Sequence, residues 1–242
     1  MDVNIICCLF VLVNEKNDNI RKNDYKKLKV LVRKEDKSLL NILFDNQTDI
    51  KQLIRNHISK NLNSNKFHLE QVYTLGDKKY YIDNKIDIIY IGICNEENIN
   101  LTNEYELVDF NVSNNRFIQF DKDMYEYETK EIISNQNIEY IHEIQIQNII
   151  LEKQLLELLI AFKYLRSRVE NTDIIFKFMP KYFTLEEVRI VYEMIKEISV
   201  DKSNFRKKIV KYCVEADVDL RKKGYRPSKM YTFQVLKGDV WL

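Results

Sequence analysis

The sequence predicts an α+β chain: a mixed sandwich of strands around an amphipathic helix, followed by a small helical module closed by a β-hairpin. Three observations carry this. Apolar runs of strand length dominate the first 95 residues and enclose one stretch of helical periodicity. A long leucine stripe begins near residue 144. Past residue 184, two capped helical stretches precede a basic, Gly-containing tip and a final β-rich run.

With 242 residues the chain is long enough for one large domain or two modest ones, each with a real core. Ile, Lys and Asn together supply a third of it, a bias of coding rather than of task. Glycine is more telling: there are four, and the first is Gly76. Phosphate-cradling loops use glycine for backbone conformations that other residues reach only under strain. A Gly-rich P-loop or dinucleotide fingerprint is therefore excluded from the first third.

Ile5–Val13 and Leu28–Arg33 read as strands separated by a polar turn, and Leu69–Leu75 and Ile86–Cys94 repeat the theme. Between the pairs, Ile50, Leu53, Ile54 and Ile58 make the stripe of a helix over Asp49–Leu62, with Asp49 at the N-cap. Arg116–Phe120 and Met124–Ser134 suit strands within an acidic stretch. From Ile144 to Val169 the pattern is helical, with Leu151, Leu155, Leu158, Leu159, Phe162 and Leu165 on one face. An ordinary buried helix fits that face, as does one that joins domains or dimerises. A polar break at 170–173 and an apolar strand Ile174–Phe178 then mark the domain boundary.

Charge is distributed unevenly. Residues 95–160 carry 4 basic and 14 acidic side chains, whereas 201–230 carry ten basic and four acidic. Such asymmetry points to a segment that meets an anion. The four cysteines lack CxxC spacing and the three histidines are scattered, which argues for reduced core thiols over a zinc site. The longest apolar run is too short to span a bilayer, and no basic start precedes it, so a cytoplasmic chain without a membrane partner is expected.

In the last 60 residues, Thr184 and Glu187 fit a capping box. The helix that follows spaces Val188, Val191, Tyr192 and Ile195 on one face, and a turn over Lys196–Val200 leads to Asp201 as a second N-cap. The next helix, Lys202–Tyr212, buries Phe205, Ile209 and Tyr212. At 100° per residue this turns Ser203, Lys207 and Lys211 outward, flanked by Asn204 and Arg206. A tip bearing Arg221, Lys222, Lys223, Gly224, Arg226 and Lys229 leads into a strand over Met230–Val235. Two helices and a basic wing put positive charge where a duplex supplies phosphates. These lysines and arginines would position the protein on DNA, with Asn204, Arg206 or Lys207 reaching base edges. The same layout also serves protein contact.

In residue type and spacing, the blocks Phe183–Val188, Val191–Glu193, Asp201–Lys208 and Arg226–Tyr231 resemble the C-terminal winged helix of the Nudix-related transcriptional regulators. These bacterial proteins join a Nudix-like domain to a DNA-binding module. More faintly, Leu69–Asp77 looks like the strand after the Nudix helix and Ile88–Cys94 like the next strand. The resemblance implies a Nudix-like α/β/α sandwich over 1–168 and a winged helix-turn-helix domain over 172–242. It further implies a homodimer on double-stranded palindromic operator DNA and a small-molecule effector, an ADP-ribose-like nucleotide or a sugar such as arabinose.

One departure from the family pattern bears on chemistry. The family's catalytic helix carries an Arg-Glu dipeptide and a Glu pair that bind divalent metal. Laid on Asp49–Leu62, those positions hold Asn56-His57 and Lys60-Asn61, and no Glu occurs from Asp36 to Leu69. Magnesium needs hard oxygen ligands, usually carboxylates, and Lys60 would repel it. A regulator without catalytic residues, metal or cofactor is expected. Two other classes stay open: a hydrolase with carboxylates relocated to Glu126, Glu128 and Glu131, and an adaptor whose winged helix contacts protein. Tyr73, Tyr80, Tyr81 and Arg33 lie on or beside the sensor strands, where packing and pocket-lining are both possible roles, and the effector residues stay unassigned.

Overall fold

A computed structural model describes residues 2–15, 25–45, 47–80, 84–134, 137–171, 173–218 and 229–234. The chain forms two compact units, Met1–Tyr164 and Leu165–Leu242.

The first unit is built on β1 (Asp2–Glu15), whose residues from Ile5 to Val13 are all buried. Unbroken apolar character is what a strand covered on both faces requires. Along one edge β1 pairs in parallel with β5 (Lys85–Asn95). Along the other edge two antiparallel partners share its length: β2 (Tyr25–Arg33) pairs with Phe10–Glu15 and β3 (Leu40–Leu43) with Asn4–Cys7. The sheet continues from β5 to β4 (His68–Leu75), with a bulge at Val72. From β2 it continues through β6 (Tyr105–Ser113), β7 (Phe117–Phe120), β8 (Asp123–Ser134) and β9 (Asn137–Ile144).

Helices cover both faces of β1. On one face, α1 (Ile50–Leu62) sets Ile54, Ile58 and Leu62 against Ile5, Cys7, Leu9 and Val11. Each fully buried side chain of this size contributes about 1.5–3 kcal/mol. Asp49 caps the helix, accepting from the Gln52 amide at 3.1 Å. On the other face lies α2 (Ile149–Arg168), started by the Asn148 side chain, which accepts from the Ile150 and Leu151 amides. There Phe10, Phe110 and Phe162 meet with ring centroids 5.4–6.1 Å apart. Gly92 leaves room for the Leu9 side chain on the neighbouring strand, since a Cβ there would lie 2.4 Å from Leu9 Cδ1.

Several expected boundaries move. The expected order of two strands before α1 lacks β3, a four-residue strand with too little pattern to announce itself. The helix expected from Ile144 starts at Ile149, because 137–144 is a strand paired with β8. In the acidic stretch, β6 pairs with β2 and buries Val108, Phe110 and Val112 at alternate positions. The leucine face of α2 is an ordinary core face, and its buried band also takes in Glu152 and Glu157.

In the second unit, the strand expected over Ile174–Phe178 is a 3₁₀ helix, Asp173–Phe178. A short apolar run buried nearly throughout fits either conformation, and here Lys177 reaches back to Asp173 at 2.8 Å across one turn. Two helices follow, α3 (Leu185–Lys196) and α4 (Lys202–Ile209), then a 3₁₀ turn Val210–Tyr212 and a hairpin of β10 (Cys213–Ala216) and β11 (Met230–Phe233). Phe183 adds a third, one-residue rung, exchanging both backbone hydrogen bonds with Tyr231. Beneath the hairpin, Phe176 stacks on Phe233 at 4.6 Å and meets Phe183 at 5.7 Å.

Candidate nucleic-acid interface

Local chemistry fixes the helix–turn–helix. Thr184 and Glu187 form the capping box: the Glu187 amide donates to Thr184 Oγ1 at 3.2 Å and the Thr184 amide to Glu187 Oε2 at 2.7 Å. Val188, Val191, Tyr192 and Ile195 are buried as their spacing required. The helix ends at Glu197, whose φ of 58° is left-handed, and Glu193 accepts from the Val200 amide to hold the turn. Asp201 then caps α4, accepting from the Asn204 amide at 2.8 Å.

Phe205 and Ile209 are the buried residues of α4, with Phe205 packed on Tyr192 at 5.2 Å. Every other side chain of this helix is exposed, so the outward arc is wide. Ser203, Asn204, Arg206 and Lys207 all lie on it, as does Lys208, which the 100° projection left off the outward face. Lys202 is engaged with Glu186 at 3.3 Å. Arg189 grips the same carboxylate at 2.6 Å and, with help from Lys202, holds it down to about 2. No carboxylate pairs with Arg206, Lys207 or Lys208 among the described residues. Three cations on one exposed arc make a basic surface, with Lys208 near enough to Glu170 to add to the Lys196 effect that lowers its pKa.

Lys211 is exposed, as expected, but the helix expected over Lys202–Tyr212 ends at Ile209, and Tyr212 is only half-buried. The helix tightens to 3₁₀ at Val210, which turns Lys211 about 40° away from the position a continued α-helix would give it. Its ammonium lies 4.8 Å from the Tyr212 ring centroid. Lys229 is exposed at the start of β11 and pairs across the hairpin with Glu215 at 2.8 Å. Arg221, Lys222, Lys223, Gly224 and Arg226, like Val235, lie outside the described residues.

In the first unit, the positions of the catalytic box carry no acid. Asn56 accepts from Gln52 at 2.7 Å, Lys60 is exposed, and the Asn61 carbonyl accepts from the Thr102 amide at 3.1 Å. His57 is half-buried, and burial followed by the nearby Lys60 lowers its pKa. Elsewhere, Glu126 is tied to Arg116, and Glu128 stands opposite Glu143 on β9. Among the described residues no three metal-ligating side chains converge.

Two cavities of this unit are lined by described residues. One of about 550 Å³ lies at the C-terminal end of α1, lined by Ser59, Asn63, Lys66, Glu97 and Asn100. The other, of about 210 Å³, lies on the α2 face beside β1 and β3. Tyr73, Tyr80 and Arg33 line neither. Tyr80 is buried, donating to Glu152 at 2.8 Å, and Tyr73 is exposed. Tyr81 is outside the described residues.

Residues 175–233 match the family described as the NrtR DNA-binding winged helix domain. A relative from Acinetobacter baylyi, the ADPR responsive transcriptional repressor NtrR, is 32% identical over 80 residues. That match spans 33% of this chain and 32% of the relative's own length. Among solved structures, Shewanella oneidensis NrtR complexed with a 27mer DNA superposes with a TM-score of 0.65 at 12% identity, covering 96% of this chain and 93% of that one. A MutT/nudix family protein from Enterococcus faecalis gives 0.64 at 15% identity, covering 96% and 86%. At such identities the superpositions establish the fold. The chain thus has the fold of these structures, and its residues 175–233 match the winged helix family model.

Proposed function

We propose that this protein is a ligand-responsive transcriptional regulator. Residues 172–242 bind double-stranded operator DNA, and residues 1–168 sense a small molecule without turning it over. The observation that carries the reading is the exposed arc of α4, where Arg206, Lys207 and Lys208 face outward with no carboxylate in ion-pair contact among the described residues. The family match of 175–233 supports it. The name of the A. baylyi repressor supports an ADP-ribose-like nucleotide as effector, with a sugar as the other candidate. Lack of catalysis rests on α1, where metal-dependent hydrolysis would need carboxylates and finds Asn56, His57, Lys60 and Asn61. A cytoplasmic homodimer reading two half-sites follows from this role. Among the described residues, no helix is long and apolar enough to cross a membrane.

The effector would act by binding one arrangement of the dimer better than another and so changing the spacing of the two α4 helices. The test is fluorescence anisotropy of the full chain on the duplex upstream of its own coding region. Saturable binding that weakens steeply with salt and changes on adding ADP-ribose or arabinose is expected. Equal weak binding to every duplex, with a flat salt response, would favour the protein-contact alternative.

A further inference from the structure

A single guanidinium holds both carboxylates that tether the start of α4. Arg189 on α3 donates from Nε to Glu186 Oε2 at 2.9 Å and from Nη2 to Glu186 Oε1 at 2.6 Å, a two-pronged grip one turn back along the helix. Its Nη1 lies 2.5 Å from Glu193 Oε1, one turn forward. Each carboxylate then reaches beyond α3. Glu193 Oε1 accepts from the Val200 amide at 2.8 Å, immediately before the Asp201 cap. Glu186 Oε1 pairs with Lys202 Nζ at 3.3 Å in the first turn of α4. The Arg189 side chain is 13% exposed, and all three of its nitrogens face a carboxylate.

We propose that Arg189 is a positioning residue for sequence recognition: it fixes the tilt of α4 on α3, and with it whether Asn204, Arg206 and Lys207 reach base edges or only phosphates. This rests on the reading of the second unit as a DNA-binding module. Beneath α4, Phe205 on Tyr192 and the buried Ile209 set the distance of the helix from the core. Apolar contact is non-directional and leaves rotation about itself open. The two polar ties on either side of Asp201 remove that freedom. Side chains that read bases must sit within roughly 0.5 Å and 10–20° of the productive geometry. A tilted α4 would still offer its charge to phosphates, which carry no sequence information.

Lysine cannot take this part. Its ammonium is a compact point charge without the planar fork that spans two carboxylates. Nor is Arg189 itself a phosphate contact, because each of its nitrogens is committed to an acid of its own helix. Lys202 is 73% exposed, and an ion pair so open to solvent orients little by itself. Arg189 makes the tie effective by fixing Glu186 before Lys202 meets it. Loss of the guanidinium therefore lowers affinity for the correct sequence while affinity for any duplex, set by phosphate charge, stays.

The experiment is fluorescence anisotropy of the full chain on two duplexes of equal length, the one upstream of its own coding region and a scrambled one. Both are titrated across a salt series, and the melting temperature of each variant is recorded. Arg189→Gln should lower affinity for the upstream duplex roughly tenfold, with affinity for the scrambled duplex and the salt slope unchanged. Arg189→Lys, which restores the charge and not the fork, should recover little of that loss. Should Arg189→Gln fail to fold, Glu193→Gln decides in its place: it loosens the guanidinium from the turn, keeps an oxygen for the Val200 amide, and should lower the same preference. Equal loss on both duplexes would make the role structural only. A salt slope reduced by about 1 would make Arg189 a phosphate contact, and full recovery by Arg189→Lys would make its charge sufficient. Each of these overturns the proposal, as does a preference for the upstream duplex that survives Arg189→Gln. If the unmutated chain prefers neither duplex, the regulatory reading falls and the proposal with it.

Discussion

Helices α1 and α4 are built to the same recipe and present opposite chemistry. Each begins at an aspartate N-cap that accepts from the amide three residues on, and each buries a pair of apolar side chains four apart, Ile54 with Ile58 and Phe205 with Ile209. Their polar faces diverge. On α1, Gln52 bonds to Asn56 and Arg55 lies over the Phe67 ring at 5.5 Å, so the face is largely satisfied within its own unit. On α4, Arg206, Lys207 and Lys208 face outward with no carboxylate in ion-pair contact among the described residues. The periodicity that makes a helix is thus independent of the residues that make a site. Each helix keeps its fold whatever its polar face carries.

The contrast predicts a graded set of outcomes. The largest follows from emptying the core under α4: Phe205→Ala should cost about 3–5 kcal/mol and remove duplex binding with it, read by thermal denaturation and anisotropy. Ile58→Ala should cost about 2–5 kcal/mol beneath α1. Next, Lys207→Glu should weaken duplex binding on the order of tenfold and lower the salt slope by about 1, with the melting temperature unchanged. Lys60→Glu on α1 should leave duplex binding as it was. Equal effects of the two reversals would mean that α4 is not the recognition face. Smallest are the caps: Asp201→Ala and Asp49→Ala should each cost about 1 kcal/mol, seen as a modest shift in denaturation midpoint.

Much of this was legible in the residues because it is local. The Asp49, Thr184 and Asp201 caps need partners only three residues away, and the predicted bonds are present. The buried faces of α1, α3 and α4 follow from spacing alone. What escaped depends on distant partners. β3 exists because the N-terminal half of β1 leaves an edge that β2 does not reach. Ile174–Phe178 became 3₁₀, a choice that apolar character alone does not make. Lys208 joined the exposed arc because Phe205 and Ile209 are the only buried side chains on α4. Lys229 proved to be tied to Glu215 by the pairing of β10 with β11.

The sequence by itself determined the helix-turn-helix with its basic arc, the buried central strand and the absence of acids from α1. Composition and short-range spacing suffice for all three. Only the tertiary structure decided that Asp87 and Glu157, 70 positions apart by number, share one buried cluster with Lys153 beside a cavity. In sequence each is an unremarked charge in a chain rich in them. Folding removes them from water, and a buried acid must then find a cation, a hydrogen bond or a proton.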